Sequence, residues 1–242
     1  MGLVQYDIAW EDRSESRRRI EALLTDAAGC DWLVFPEMAL TGFSMAPGRT
    51  ALDAADHAFF RDLAIRVGAA VTYGGVEGGR NCCWTLDAAG NPLDHYVKMH
   101  LFSYAGEHEH YAPGQAETAF ELGGMRVRPS ICYDLRFSPR FWRNAPETDL
   151  FVVIANWPRP RRVHWRTLLQ ARAIENQTYV IGVNRVGNDP KLAYAGDSLV
   201  VGPGGETLLD CGDASGLHCL DIDPAAVPQT RQAFPVLLDR IA

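Results

Sequence analysis

Short apolar runs recur along the chain at residues 33–35, 69–73, 82–86, 150–154 and 179–183. Each is rich in branched or aromatic side chains, the pattern of strands covered on both faces. Longer stretches with helical spacing separate them. From Ser14 towards Ala28, apolar groups fall at Ile20, Leu23, Leu24 and Ala27, with Gly29 as a stop signal. Residues 56–67 behave similarly behind a cap at Asp53 or Asp56, and residues 165–177 carry Leu168, Leu169, Ala171, Ala173 and Ile174. Late in the chain, residues 197–201 and 205–209 flank Gly202-Pro-Gly-Gly205, which predicts a hairpin and therefore mixed sheets. Gly74-Gly75 reads as a turn. The alternation predicts one α/β layered domain over residues 1–242. Periodicity leaves open whether its strands form one central sheet or two stacked ones.

Composition narrows the class. With 242 residues the chain can bury a sizeable core unaided. A net charge of -7 gives no basic footprint for nucleic acid or an anionic membrane, so a small-molecule partner is expected. The start shows no cationic region followed by a long apolar stretch, and a cytoplasmic protein is expected. The six cysteines form no C-x-x-C pair and are too dilute for a disulfide scaffold, so reduced thiols are the natural reading.

Three segments offer reactive groups. Around Cys132, an extended stretch gives way to Cys-Tyr-Asp and then to a helix start, where Ser138 can cap and Pro139 can occupy the first position. A strand-to-helix turn of this kind presents a side chain outward while its backbone N–H groups face a developing anion. A thiol with an ordinary pKa of about 8.5 is mostly protonated at neutral pH, so a nucleophilic cysteine needs a base or a cation beside it. Glu37 follows the apolar run at 33–35 and is a candidate base. Lys98 ends another strand-like run among apolar residues, where a desolvated ammonium demands a carboxylate. The other five cysteines read as structural.

Pro36-Glu37 with Thr41-Gly-Phe43, then Lys98-Met-His-Leu-Phe102, then Cys132-Tyr-Asp-Leu-Arg-Phe137, resemble in that order the three motifs of the nitrilase superfamily of carbon–nitrogen hydrolases. The likeness continues through Ala155-Asn-Trp-Pro158 and the stretch 168–177 to Asn184-Arg-Val-Gly187 and Gly196-Asp-Ser198, where it is greatest to bacterial ω-amidases. The resemblance implies a four-layer αββα sandwich with two stacked mixed sheets. It also implies Glu37 as general base, Lys98 as stabiliser of the tetrahedral intermediate and Cys132 as nucleophile, with the Tyr133 backbone N–H as a further oxyanion donor. Members carry a second glutamate that positions the lysine. Glu107, six residues before Pro113, fits that role better than Glu109. The implied reaction is amide hydrolysis through a cysteine thioester with release of ammonia, on a short dicarboxylate ω-amide such as 2-oxoglutaramate or 2-oxosuccinamate. Aliphatic amidase, N-carbamoyl hydrolase, nitrilase and non-catalytic binding are the alternatives. A homodimer is expected by the same analogy, with Phe141-Trp142 supplying apolar contact.

Substrate binding is assigned to Arg136, Asn156 and Trp157, with Arg136 able instead to pair with Asp134. The basic run 159–162 reads as a solvated loop or as a substrate-steering element. No cofactor and no metal site are expected. His108-Glu-His110 with His95 and His100 lacks the H-e-x-x-H spacing, and in an extended segment its two histidines would share one face. A papain-like arrangement with His100 or His164 as base is a further rival. No G-x-S-x-G, P-loop or G-x-G-x-x-G fingerprint occurs.

Overall fold

The computed structural model describes residues 1–24 and 29–240. In chain order its strands are β1 (Gly2–Gln5), β2 (Trp32–Val34), β3 (Ala70–Glu77), β4 (Arg80–Leu86), β5 (Pro92–Val97), β6 (Phe120–Leu122), β7 (Met125–Ile131), β8 (Leu150–Ala155), β9 (Tyr179–Asn184), β10 (Val186–Asn188), β11 (Ala193–Ala195), β12 (Leu199–Val201), β13 (Thr207–Asp210) and β14 (Gly216–Cys219). The principal helices are α1 (Arg13–Leu23), α2 (Ala54–Val67), α3 (Ser138–Asn144) and α4 (Arg162–Asn176). Two mixed six-stranded sheets result, ordered β14-β1-β2-β3-β4-β5 and β13-β12-β9-β8-β7-β6, with β10 and β11 forming a small separate pair. β1, β2 and β3 run parallel, as do β7, β8 and β9.

The sheets stack face to face, with β1 against β9 and β4 against β7. Successive side chains of one strand enter different cores, as a period of two requires. Trp32 and Val34 join the core shared with the second sheet, whereas Leu33 meets Ile20, Phe60 and Leu63 beneath α1 and α2. On the far side, α4 lies on β9 and β12 and packs against α3. The molecule is therefore the α/β, four-layer αββα sandwich, and the question that periodicity left open resolves to two stacked sheets.

Local chemistry explains the element ends. α1 opens at Arg13, one residue before the expected Ser14, and Asp12 caps it by accepting the Glu15 N–H at 3.0 Å. The expected continuation through Ala27 and Ala28 lies outside the described residues. In α2, Asp53 is the N-cap and Asp56 closes the capping box, so the two candidates act together. Ser138 is already helical in α3, where Phe137 takes the cap position with no side-chain bond. Phe141 is fully buried, packed edge-on against Phe151 at 4.9 Å, and so cannot supply the apolar dimer contact expected of it.

Gly74-Gly75 is not a turn. Both residues sit inside β3, the true turn being Gly78-Gly79 between β3 and β4. A Cβ at Gly74 would lie 2.7 Å from Glu37 Cα and 2.8 Å from Met38 N, so glycine is what lets the Glu37 backbone rest against the sheet. Among the described residues, no helix is long and apolar enough to cross a membrane.

Candidate active site

Glu37, Lys98 and Cys132 lie 61 and 34 positions apart in sequence and meet where the two sheets face each other. Glu37 follows β2 and Lys98 follows β5 in the first sheet, whereas Cys132 follows β7 in the second. Glu37 and Lys98 are wholly buried, as is Glu107 from the one-turn helix Glu107–His110. The Lys98 ammonium donates to Glu37 Oε1 at 2.8 Å and to Glu107 Oε1 at 3.0 Å. It also lies 5.0 Å from the centroid of the Phe43 ring. Burial alone disfavours a charged amine, but the Glu107 and Glu37 carboxylates outweigh it and push the Lys98 pKa above the ordinary lysine range. Of the two glutamates that competed for the second position, the structure brings Glu107 to Lys98 and leaves Glu109 exposed.

One residue of this cluster escaped the reading of the sequence. Asn81, on β4, donates through Nδ2 to Glu37 Oε1 at 2.8 Å and to Glu107 Oε1 at 2.9 Å. Two carboxylates are thus drawn together by one ammonium and one neutral amide. The sequence signal was an uncharged polar side chain at the mouth of the apolar run 82–86, which is unremarkable at a strand end.

The Cys132 elbow has a physical basis in Asp134. Its Oδ2 accepts the Ile131 N–H at 3.0 Å and the Tyr96 hydroxyl at 2.7 Å, and its Oδ1 accepts the His100 N–H at 2.9 Å. Burial opposes the Asp134 charge, but Arg140 and the hydrogen bonds from His100, Tyr96 and Ile131 hold its pKa below the usual carboxylate value. Clamped in this way, the chain turns so tightly that Cys132 adopts a φ of 47°, a conformation non-glycine residues avoid. Tyr133 is the second residue of the short 3₁₀ turn Cys132–Arg136, a position whose N–H has no acceptor within the helix. Burial first, and then the Glu37 carboxylate, push the Cys132 pKa well up, while Lys98 opposes them. The resting sulfur keeps its proton.

The other assigned residues separate into two groups. Asn156, at the end of β8, donates its backbone N–H to Glu37 Oε2 at 2.9 Å and its side-chain amide to the Glu37 carbonyl. Its backbone N–H and its side-chain amide both serve Glu37, while its Oδ1 is buried without a partner and the residue lines the adjoining cavity. Arg136 does face that cavity. Its partner is not Asp134, which is engaged with Arg140; its guanidinium stacks 4.8 Å from the Trp157 centroid and meets His164 Nδ1 at 3.1 Å. The run 159–162 divides likewise: Arg161 lines the cavity, whereas Arg162 pairs with Asp197. The cavity, of about 170 Å³, opens beside Cys132 and is walled by Phe43, Phe102 and Trp157. Arg136, Arg161 and Lys191 also line it, and among the described residues none of these three cations is in an ion pair. The rival histidines have other partners: His100 stacks on Phe137 at 3.8 Å and bonds Asp134, and His164 meets Arg136. His108 and His110 lie in a helical turn, not in an extended segment.

The stacked mixed sheets agree with what comparison of the whole chain shows: the model of the carbon–nitrogen hydrolase family matches residues 1–232, and the chain belongs to that family. It is a hydrolase acting on carbon–nitrogen bonds other than peptide bonds. Among particular relatives, it is 38% identical to the omega-amidase YafV of Escherichia coli (strain K12), over 98% of this chain and 94% of that one. It is 31% identical to the 2-oxoglutaramate amidase of Bacillus subtilis (strain 168), over 98% and 95% respectively. The crystal structure of XC1258 from Xanthomonas campestris, a CN-hydrolase superfamily protein with an arsenic adduct in its active site, superposes with a TM-score of 0.93 at 36% identity, covering 100% of this chain and 96% of that one.

Proposed function

We propose that the protein is an ω-amidase that hydrolyses the terminal amide of a short dicarboxylate, such as 2-oxoglutaramate or 2-oxosuccinamate, with Cys132 as nucleophile. The observation that carries this reading is the buried contact of Lys98 with Glu37 and Glu107 beside a strained cysteine. Because the resting thiol is protonated, attack needs a base at that moment. Glu37 takes the thiol proton as sulfur bonds to the amide carbon, and the carbonyl π electrons move onto oxygen. The Lys98 ammonium and the Tyr133 N–H stabilise that oxyanion. Glu37 then protonates the departing nitrogen, the carbon–nitrogen bond breaks, and ammonia leaves a thioester. Water, deprotonated by Glu37, attacks the thioester; its collapse expels sulfur, which recovers a proton from Glu37. Glu107, with no place in this proton traffic, positions Lys98.

The three cations around the cavity, Arg136, Arg161 and Lys191, favour an acyl group that bears an anion. Trp157 supplies apolar wall and a surface for Arg136, and Asn156 holds Glu37 in place. The relatives named for ω-amidase and 2-oxoglutaramate amidase activity support the same substrate class. The test is an ammonia-release screen over ω-amides of 2-oxo dicarboxylates, α-amides, nitriles and N-carbamoyl compounds, run with wild type and Cys132→Ala. The ω-amides are expected to lead and the variant to release no ammonia. Preference for another class would replace the substrate, and turnover by Cys132→Ala would remove the mechanism. The resemblance extends the proposal to a homodimer, which a monomer mass by light scattering at assay concentration would contradict.

A further inference from the structure

Cys30 lies just before β2 and Cys219 ends β14, strands that flank β1 on opposite sides. Their sulfurs are 2.7 Å apart although the residues are 189 positions apart in sequence. The route between them passes over Gly2, which is paired with Cys219 in the β1–β14 register. A Cβ at residue 2 would stand 3.0 Å from the Cys30 sulfur and 2.6 Å from Leu217, so a glycine is what leaves room for the thiols to meet. Ordinary core filling accounts for a buried Cys30 but not for a second sulfur brought to it from an exposed edge-strand residue. Among the described residues no other two cysteine sulfurs touch.

We propose that Cys30 and Cys219 form a reversible disulfide that laces β14 to the start of β2 across β1. Exposed Cys219 reacts first: its thiolate attacks one sulfur of a small-molecule disulfide, forming a mixed disulfide and expelling one thiolate. Cys30 then loses its proton and attacks the Cys219 sulfur, forming the protein disulfide and expelling the second thiolate. The two protons given up by the cysteines end on the two leaving thiols, and the small-molecule disulfide is the species reduced. Burial, followed by its contact with Cys219, raises the Cys30 pKa to about 11, which suits it to the second step and not the first. The bond would tie the sheet edge through a long loop, so the oxidised form should resist unfolding more than the reduced form.

The experiment incubates the full chain with oxidised glutathione, blocks remaining thiols with iodoacetamide, and maps peptides by mass spectrometry without reduction. The expected result is a linked peptide joining Cys30 and Cys219, the loss of two titratable thiols, and a melting temperature that falls when dithiothreitol is added. Cys30→Ser should instead accumulate glutathione on Cys219, and Cys219→Ser should leave Cys30 free. Wild-type protein that carries stable glutathione on Cys219, or keeps both thiols alkylatable, overturns the proposal whatever the variants do.

Discussion

Asn81 shows how much of the site rests on a side chain with no chemistry of its own. Its amide nitrogen is shared between Glu37 and Glu107, and its Oδ1 is buried without a partner, so the side chain is oriented by its donors alone. Asn81→Ala leaves two buried carboxylates facing each other with only Lys98 between them. Losing hydrogen bonds to charged groups costs about 1.5–3 kcal/mol, which predicts a kcat lower by roughly 10- to 100-fold with little change in KM if the loss falls on the proton transfers of Glu37. Asn81→Asp should be worse, because it adds a third carboxylate to a cavity holding one ammonium. Steady-state kinetics on the preferred amide decide the matter, and wild-type kcat in both variants would demote Asn81 to packing. Cys132, Glu37 and Lys98 were legible in the sequence only as an ordered trio, because a thiol at a turn and an amine or acid at a strand end are each unremarkable alone. Asn81 was not, since its role comes from partners 44 and 26 positions away, and Asp134 was not, since all its side-chain hydrogen bonds but the one from Ile131 come from Tyr96 and His100, 38 and 34 positions away.

At the scale of elements, the apolar runs located five strands to within a few residues, because strands buried on both faces have little choice of side chain. Gly74-Gly75 misled the reading for a reason the structure supplies: a glycine demanded by a neighbouring backbone looks, in sequence, like a glycine demanded by a turn. The two glycines also separate a functional from a structural role. Gly74→Ala drives a methyl group into the backbone at Glu37 and Met38, whereas the three atoms nearest a Cβ at Gly75 all belong to the Leu52 side chain, which can rotate away. Overpacking of this kind costs about 1–3 kcal/mol. Both variants should melt lower, but only Gly74→Ala should also lose kcat; equal kcat in the two would show that Glu37 tolerates the shift. β5 carries a different strain. Burial lifts the Asp94 pKa to about 6, against the opposing hydrogen bonds from Thr118 and the backbone of His95. Its folded-state pKa therefore lies above its unfolded value of about 3.9. The native state binds the extra proton between those values, so this carboxyl supports folding at low pH and stability declines as pH rises through 4 to 6. Asp94→Asn, which keeps an acceptor for Thr118, should match wild type near pH 4 and melt higher above pH 6. A melting difference independent of pH would contradict this.

On the scale of the whole molecule, the site exists only because two sheets are docked. Asn81 lies in the first sheet, and Glu37 and Lys98 follow its strands, whereas Cys132 and Asn156 follow strands of the second, so the distance from the Glu37 carboxylate to the Cys132 sulfur depends on intersheet packing. Asn156 bridges the boundary by hydrogen bonding to both ends of Glu37, its carboxylate and its carbonyl. Ile154, two residues earlier on β8, reaches across to Gly74, where its Cδ1 lies 2.8 Å from the place a Cβ would occupy. Truncating this side chain opens a cavity directly beneath Glu37. Leu63, on α2, is equally buried but packs on the outer face of the first sheet, away from the second. Ile154→Ala and Leu63→Ala should each lose about 2–5 kcal/mol of stability by denaturant unfolding. At a temperature where both remain folded, kcat should fall in Ile154→Ala, because relaxation of the sheets into the cavity moves Glu37 relative to Cys132, and should be unchanged in Leu63→Ala. If the two variants, equally destabilised, keep equal kcat, the base and the nucleophile are held by their own turns and not by the docking of the sheets.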